Sequence, residues 1–253
     1  MDGTDVALFP YLPYILQDTW EIGTSPSIVI DLMRKHVGNH ANLKVLDLGC
    51  GKGAVSVKVA KAFGCHCHGI DAIPVFIDEA KGKAKEYGVE QYCHFEVGDI
   101  RTMVDDLKGF DIIVLGSIGP VFGNHLQTLT ILKTCLTPNG LIILDDGYIE
   151  NDSSYSHSLI QKKSTVMKHI DNAGMKLIDE AFTSVDEIKE SDDFIFNKLK
   201  ARCQELIVRE PHKTSLFLDY IAKQEEENDV LETKITCSAM VIRKKKKTIK
   251  IDY

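Results

Sequence analysis

Residues able to do chemistry concentrate in Val45-Leu46-Asp47-Leu48-Gly49-Cys50-Gly51-Lys52-Gly53-Ala54. Gly49 permits a tight turn, and Gly51 lets a ligand lie against bare backbone. Amide groups at the start of a following helix can face ligand oxygens. Asp47 sets a carboxylate at the mouth of the turn, which suits an ammonium or sulfonium group and repels a pyrophosphate. Asp71 closes Gly69-Ile70-Asp71 about twenty residues on, where an acid can accept hydrogen bonds from two ribose hydroxyls. Asp99, in Glu96-Val97-Gly98-Asp99-Ile100, stands where it can take the amino group of an adenine. Taken singly, the glycines also suit a plain turn, and each later acid also suits a helix N-cap.

These residues share a site only if strands and helices alternate, and the apolar pattern predicts that they do. The first strand is Lys44–Leu48, and a helical pattern runs from about Ala54 to Phe63 and stops at Gly64. A strand from about His66 to Asp71 follows, then a helix opened by Pro74 and ended by Gly88. Strands at Tyr92–Val97 and Phe110–Leu115 come next, and Asn124 caps a helix through Leu126, Leu129 and Leu132. Pro138-Asn139-Gly140 reads as a turn before a strand at Leu141–Asp145. Strands separated by helices of this length give a parallel sheet covered on both faces. Asp47, Asp71 and Asp99 then all fall at the carboxyl ends of strands, the rim where open α/β sheets bind ligands.

The second half reads differently. A helix is expected from about Ser153 to Asn172, then a strand at Met175–Phe182. Ser184-Val185-Asp186-Glu187 is a capping-box pattern. Two amphipathic segments follow, one with Ile195, Leu199 and Leu206 before Pro211, the other with Leu216, Phe217, Tyr220 and Ile221. The last strand is about Lys234–Ile242, so residues 184–230 form a helical insertion before it. At the other end, Ser25-Pro26 starts a helix closed by Gly38 within an N-terminal attachment of about forty residues.

The whole-chain numbers bound the function. At 253 residues the chain is one elaborated domain, large enough to bury a core without staples. A net charge of −7 argues against a nucleic-acid-coating protein, which needs a basic face. Seven cysteines without regular spacing suit reduced thiols in a cytoplasm. The opening Met1–Asp5 is acidic where a signal peptide is basic. The longest apolar stretch, Ile112–Gly123, is too short to span a membrane.

With these residues in hand, the chain resembles the class I S-adenosylmethionine-dependent methyltransferases, well over about Asn42–Ile149 and loosely elsewhere. The resemblance implies a Rossmann-like α/β fold, a mostly parallel seven-stranded sheet with helices on both faces and an antiparallel C-terminal strand. The hairpin of Met175–Phe182 with Lys234–Ile242 suits that ending. It implies S-adenosylmethionine as cofactor, held by Asp47, Gly49, Cys50 and Gly51 of the glycine motif and by Asp71 at the ribose. Ala72 and Ile73 would flank the adenine, with Asp99 and Ile100 beside it. Phe110–Ser117 resembles the segment whose backbone lies against the methionine end, which adds Gly116 and Ser117. Leu136–Ile143 resembles the turn into the fifth strand. The Asn- or Asp-Pro-Pro-Tyr signature of amino-methylating nucleic-acid enzymes is missing, with Gly116-Ser117-Ile118-Gly119 in its place, and so is the Pro-Cys pair of cytosine C5 enzymes. Both absences point to a small-molecule acceptor.

The resulting expectation is an N-terminal helical cap over 1–40 and a cofactor-binding domain over 41–253, working as a cytoplasmic monomer or homodimer. Tyr11, Tyr14 and Trp20 of the cap are candidates to cover the acceptor, and residues 184–230 are expected to govern the acceptor and not the cofactor. His125, just after the fourth strand, is the candidate general base or else a solvated helix-start residue. Cys65-His66-Cys67-His68 tempts as a metal site, but alternate residues of a strand face opposite ways, so no metal is expected. Arg243–Lys247 reads as a solvated basic tail that also discourages edge pairing. Two other readings stay open. Gly49-x-Gly51-x-x-Ala54 with Asp71 also satisfies a nicotinamide-dinucleotide fingerprint, though no Tyr-x-x-x-Lys pair accompanies it. A non-catalytic nucleotide-sensing module would use the same pocket.

Overall fold

The structure, a computed structural model, describes residues 7–38 and 42–246. The acidic Met1–Asp5 opening, the cap boundary at residues 40 and 41, and Lys247 lie outside the described residues. The strands are β1 Lys44–Leu48, β2 His66–Asp71, β3 Cys93–Val97, β4 Phe110–Gly116, β5 Leu136–Tyr148, β6 Met175–Phe182 and β7 Thr236–Lys244. The helices are α1 Leu12–Ile15, α2 Pro26–His36, α3 Ala54–Phe63, α4 Pro74–Glu86, α5 Ile100–Met103, α6 His125–Cys135, α7 Lys163–Asn172, α8 Val185–Arg209 and α9 Thr214–Lys234.

One seven-stranded sheet runs in the order β3-β2-β1-β4-β5-β7-β6. β1 to β5 pair in parallel, and β7 runs antiparallel to both its neighbours. This is the expected fold class. The order reverses between β1 and β4, which opens a crevice beyond their carboxyl ends.

Alternation along each central strand feeds two cores. Ile113 and Leu115 of β4 join Leu46, Ile70, Ile142 and Met240 beneath α6 and α7. Ile112 and Val114 face the other way, onto Val29 and Met33 of α2, Val57 and Ala60 of α3, and Ile77 and Ala80 of α4. Strands buried on both faces read as unbroken apolar runs, as here.

A third core lies outside the sheet. Leu8, Leu12, Ile15 and Leu16 of the N-terminal segment pack with Leu199, Cys203 and Leu206 of α8 and Phe217 and Ile221 of α9. Phe76 of α4 completes it. The N-terminal segment and the insertion are therefore one apolar unit, each covering the stripe the other would expose.

Three boundaries differ from the sequence reading. The helix expected from Ser153 begins only at Lys163. Ser, Asn and Asp side chains favour local turns over helix, and here the chain folds back so that Ile149 N donates to Gln161 O and Lys163 N to Ile149 O. Lys162 Nζ holds the carbonyls of Glu150 and Ser153 inside that loop. Pro138-Asn139-Gly140 is no free turn but a bulge within β5, where the register with β4 jumps from Phe110–Leu136 to Ile112–Leu141. The second insertion helix continues to Lys234, well past its acidic run.

Lys52 pins the N-terminal segment to the sheet. It is 2% exposed. Its ammonium donates to Leu16 O at 2.9 Å and pairs with Glu79 of α4 at 2.8 Å. In return Trp20 Nε1 donates to Lys52 O at 2.9 Å. Lys52→Met should strip both Glu79 and the Leu16 carbonyl of the buried ammonium, leaving that carbonyl to Thr19 alone, and cost about 1–3 kcal/mol of unfolding free energy. Trp20 is the sole tryptophan, so its emission should shift to the red as the segment loosens. Urea denaturation followed by fluorescence checks both; unchanged emission and midpoint would show that the segment is held elsewhere.

Candidate functional site

The turn from β1 into α3 carries Gly49, Gly51 and Gly53, all with left-handed φ, at 71°, 52° and 73°. At Gly53 a side chain would strike Ala80 and the Phe95 ring, so that glycine serves packing. At Gly51 an added Cβ would meet nothing within 4 Å. Open space above a bare left-handed backbone is what a ligand lying on the loop requires.

A small pocket lies over this turn at the β1–β4 crevice. Asp47, Gly49, Cys50, Gly51, Val114 and Gly116 line it from the sheet, and Trp20, Ile22 and Thr24 from the N-terminal segment. Asp47 is 4% exposed and accepts a hydrogen bond from Ser56 Oγ at 2.7 Å. Burial pushes its carboxyl up to about 6, the Ser56 bonds only partly opposing this and nearby Asp71 adding to it. A cationic ligand group would restore the charge that burial disfavours.

Asp71 ties two loops together. One oxygen accepts Gly51 N and the other Ile73 N, both at 2.9 Å. Burial raises its pKa in spite of these bonds. The Ala72 N–H also acts on this carboxylate, whose four acceptor positions are thus partly left open. Ala72 beside it is exposed and Ile73 half-buried. Burial, with Asp47 and Asp71 nearby, pushes the Cys50 thiol well up, so it stays protonated.

Asp99 is engaged otherwise. It caps α5 through Arg101 N at 2.9 Å, and Arg101 Nε and Nη2 grip both its oxygens. That guanidinium holds its carboxyl below the usual range. Ile100 is buried in the sheet core.

Gly116 ends β4 against Thr24 and Asp145, and a Cβ there would fall 1.9 Å from Thr24 Oγ1. Ser117 follows with φ 56°, the sole non-glycine residue with positive φ among those described. Its N–H donates to Asp145 O at 3.1 Å. Burial raises Asp145 to about 6. The rim thus gathers Asp47, Asp71 and Asp145, all raised by desolvation, around one crevice.

The structure brings Trp20 to this pocket but not Tyr11 and Tyr14. Tyr11 hydroxyl donates to Glu210 at 2.7 Å, and its ring meets Phe217 edge-on. Tyr14 bonds Glu205 and lies under Arg202 and Arg209. Both tyrosines fasten the N-terminal segment to α8 and α9. Nor does the insertion stand apart from the cofactor-side loops, since Ile73 and Phe76 pack into its core.

His125 is 9% exposed, not solvated. Its Nδ1 lies 3.3 Å from Gln161 Oε1. Its Nε2 lies 3.1 Å from Asp146 Oδ2, an ion-pair contact outside hydrogen-bond alignment. Burial alone would lower its pKa, but Asp146 and Gln161 together raise it. Oxygen at both nitrogens shifts the balance toward the imidazolium, the form that has no lone pair to accept a proton.

Sequence reasoning missed Lys52, Thr24 and Asp145. Asp145 carries a signal, an acid at the end of an apolar strand; Lys52 reads as a glycine-loop spacer because its partners lie far away in the chain.

A family model described as a methyltransferase domain matches residues 39–246. Among curated relatives, norajmaline N-methyltransferase of Rauvolfia serpentina is 39% identical over 28% of this chain and 24% of its own length. A ubiquinone biosynthesis O-methyltransferase of Rickettsia canadensis is 27% identical over 46% of this chain and 48% of its own. The chain thus spans half or less of the curated relatives it matches first. A solved methyltransferase from Thiobacillus denitrificans, described as SAM-dependent and in complex with S-adenosyl-L-homocysteine, superposes with TM-score 0.75. That match covers 93% of this chain and 99% of the other at 19% identity, a likeness of fold alone.

A raised histidine pKa has a testable sign. A group raised in the folded state adds stability that is fully present below its unfolded pKa and is lost as pH rises through the folded one. Asp146→Asn removes the carboxylate that raises His125. The stability gap between wild type and Asp146→Asn should be largest near pH 6 and shrink toward pH 9, measured by urea denaturation. A gap independent of pH would mean that His125 is not the titrating partner.

Proposed function

The chain belongs to the methyltransferase-domain family, and from that membership we propose that it is an S-adenosylmethionine-dependent methyltransferase acting on a small-molecule acceptor. The carrying observation is the uncovered backbone at Gly51 between the buried Asp47 and the two-handed Asp71. The curated relatives named above are N- and O-methyltransferases, which supports the reaction class.

In this reading Gly49–Gly51 and Asp47 hold the methionine end, Asp47 facing its ammonium. Asp71 accepts the ribose hydroxyls through its free lone pairs. Ala72, Ile73 and Ile100 frame the adenine, and Asp99 reaches it only by sharing its carboxylate with Arg101. Gly116 and Ser117 face the methyl end. The cofactor, when bound, supplies an electrophilic methyl group on a good leaving group. What remains for the protein is alignment and exclusion of water. Trp20, Ile22 and Thr24 exclude water from the crevice. Tyr11 and Tyr14 act through the segment they anchor, not by touching the acceptor. His125 is a positioning residue that holds Asp146 and the 151–161 loop; an acceptor already deprotonated at neutral pH needs no base.

The net charge of −7 supports a small acceptor over nucleic acid. No helix among the described residues is long and apolar enough to cross a membrane. Seven unpaired cysteines suit the cytoplasmic location we propose, where the chain would work as a monomer or homodimer.

Calorimetric titration with S-adenosylhomocysteine and with NADH tests the reading. S-adenosylhomocysteine should bind and NADH should not; the reverse would make this a nicotinamide enzyme. Asp71→Asn should weaken S-adenosylhomocysteine by about 1–3 kcal/mol. Asp47 has a raised pKa in the free protein, and a bound ammonium favours its charged form. Affinity should therefore rise with pH through about 6, and Asp47→Asn should flatten the part of that rise which Asp145 does not supply. A variant with the wild-type pH profile would remove Asp47 from the site. Transfer of labelled methyl from S-adenosylmethionine into a small-molecule extract separates an enzyme from a sensing module that binds without turnover.

A further inference from the structure

The pairing of β2 with β3 assembles a cluster away from the crevice. His68 and His94 are register partners. Their rings lie 4.8 Å apart between centroids, tilted at 59°. Glu96 stands two residues beyond His94, so its side chain shares that face of the sheet. His68 Nε2 lies 3.2 Å from Glu96 Oε2. One ligand atom from each of the three falls within 4.8 Å of the others.

We propose that His68, His94 and Glu96 form a binding site for a divalent first-row transition ion, zinc being the ion whose ligand chemistry they suit best. Imidazole nitrogen and carboxylate oxygen are donors that zinc takes at about 2.0–2.2 Å. Three protein ligands leave room for water in a tetrahedral shell. Donors around such an ion stand roughly 3.3–3.5 Å from one another, and His68 with Glu96 is already near that spacing. His94 is exposed, so its ring is free to turn inward and close the third side.

The surroundings favour a ligand set over a chance encounter. The His68 side chain is only 22% exposed, and the Phe110 ring flanks it at 6.2 Å. Among the described residues Glu96 pairs with His68 and with no lysine or arginine. The face is open because the chain after β3 makes only the single turn of α5 and a short 3-10 turn at Val104–Asp106. The ion would staple the edge strand β3 to β2. It would sit three residues, roughly 10 Å, before Asp71 and take no part in transfer. The sequence reading set aside a metal at Cys65–His68 because one strand cannot turn all four inward; the further ligands come from the neighbouring strand.

Metal-stripped full-length protein, titrated with Zn²⁺ against a chromophoric chelator and with Co²⁺ by visible absorption, tests this. One equivalent should bind, with the d–d intensity of a low-coordinate site and no thiolate charge-transfer band. The melting temperature should rise with Zn²⁺. His94→Ala and Glu96→Gln should each weaken binding by at least about tenfold. His66→Ala is the control, since His66 sits on the same face against the Tyr92 ring at 5.7 Å but outside the cluster. Binding weaker than about 1 mM, a thiolate band, wild-type affinity in both variants, or equal loss in His66→Ala would each overturn the proposal. Circular dichroism of the variants, whose changed side chains are exposed or half-buried, keeps loss of fold distinct from loss of a ligand.

Discussion

A buried ammonium organises this molecule. Lys52 sits in the glycine turn itself, yet its charge is spent on Leu16 O and Glu79. A buried cation is tolerated only when its hydrogen-bonding capacity is met, and here two of its partners come from different layers. The N-terminal segment must lie across the turn to supply Leu16, and α4 must lie behind it to supply Glu79. The Phe76 ring, 5.5 Å from the ammonium, closes another side. Because Phe76 also belongs to the core shared by the N-terminal segment and the insertion, the same contact set connects the glycine turn to α8 and α9. Position of the cover and shape of the ligand loop are thereby one property.

The electrostatics of the crevice follow from that cover. Asp47, Asp71 and Asp145 are each raised by desolvation, and desolvation is what a cover produces. Asp47 also feels Asp71. A set of acids crowded in a half-dry crevice is relieved by a cation more than by any neutral guest. A dinucleotide would bring a pyrophosphate, and its negative charge would add to the repulsion. The site thus selects for ligand charge before any shape is considered. Ser117, held at positive φ between Gly23 and the Asp145 carbonyl, marks where strain is accepted to keep the end of β4 beside that crevice.

What was legible in the sequence is what depends on local rules. The strands carry period-two or unbroken apolar runs, α2 and α4 begin at proline and α6 and α8 at capping boxes, and the rim acids end strands, so the sheet and Asp47 and Asp71 could be read directly. What was not legible depends on contacts between distant segments. Lys52 is invisible as a buried residue because its partner carbonyl lies 36 positions upstream. Tyr11 and Tyr14 looked like pocket walls because aromatic residues in an N-terminal attachment are ambiguous until their partners Glu210 and Glu205 are known. The loop before α7 read as helix because Lys162, which organises it by holding two carbonyls, counts as an ordinary helix former. The convergence of His68, His94 and Glu96 needs the β2–β3 register, which no single-strand pattern contains.

The same long-range contacts bear on how such a scaffold acquires a new acceptor. If the cover were a separate module, its residues could change freely while the cofactor rim stayed constant. Here the insertion packs on Ile73 and Phe76, next to the turn whose Ile73 N–H is held by Asp71. The N-terminal segment reaches the glycine turn through Leu16 and Trp20. Substitutions on the inner faces of α8 and α9 would therefore be felt at Asp71, through a chain of packed side chains and two backbone hydrogen bonds. Freedom to change lies elsewhere, in the parts of the cover that face the crevice without supporting it: Ile22 and Thr24 from the segment. On the proposed reading, acceptor identity is most open to change there, while the two long helices that look like the specificity module are constrained by the core they share with Ile73 and Phe76.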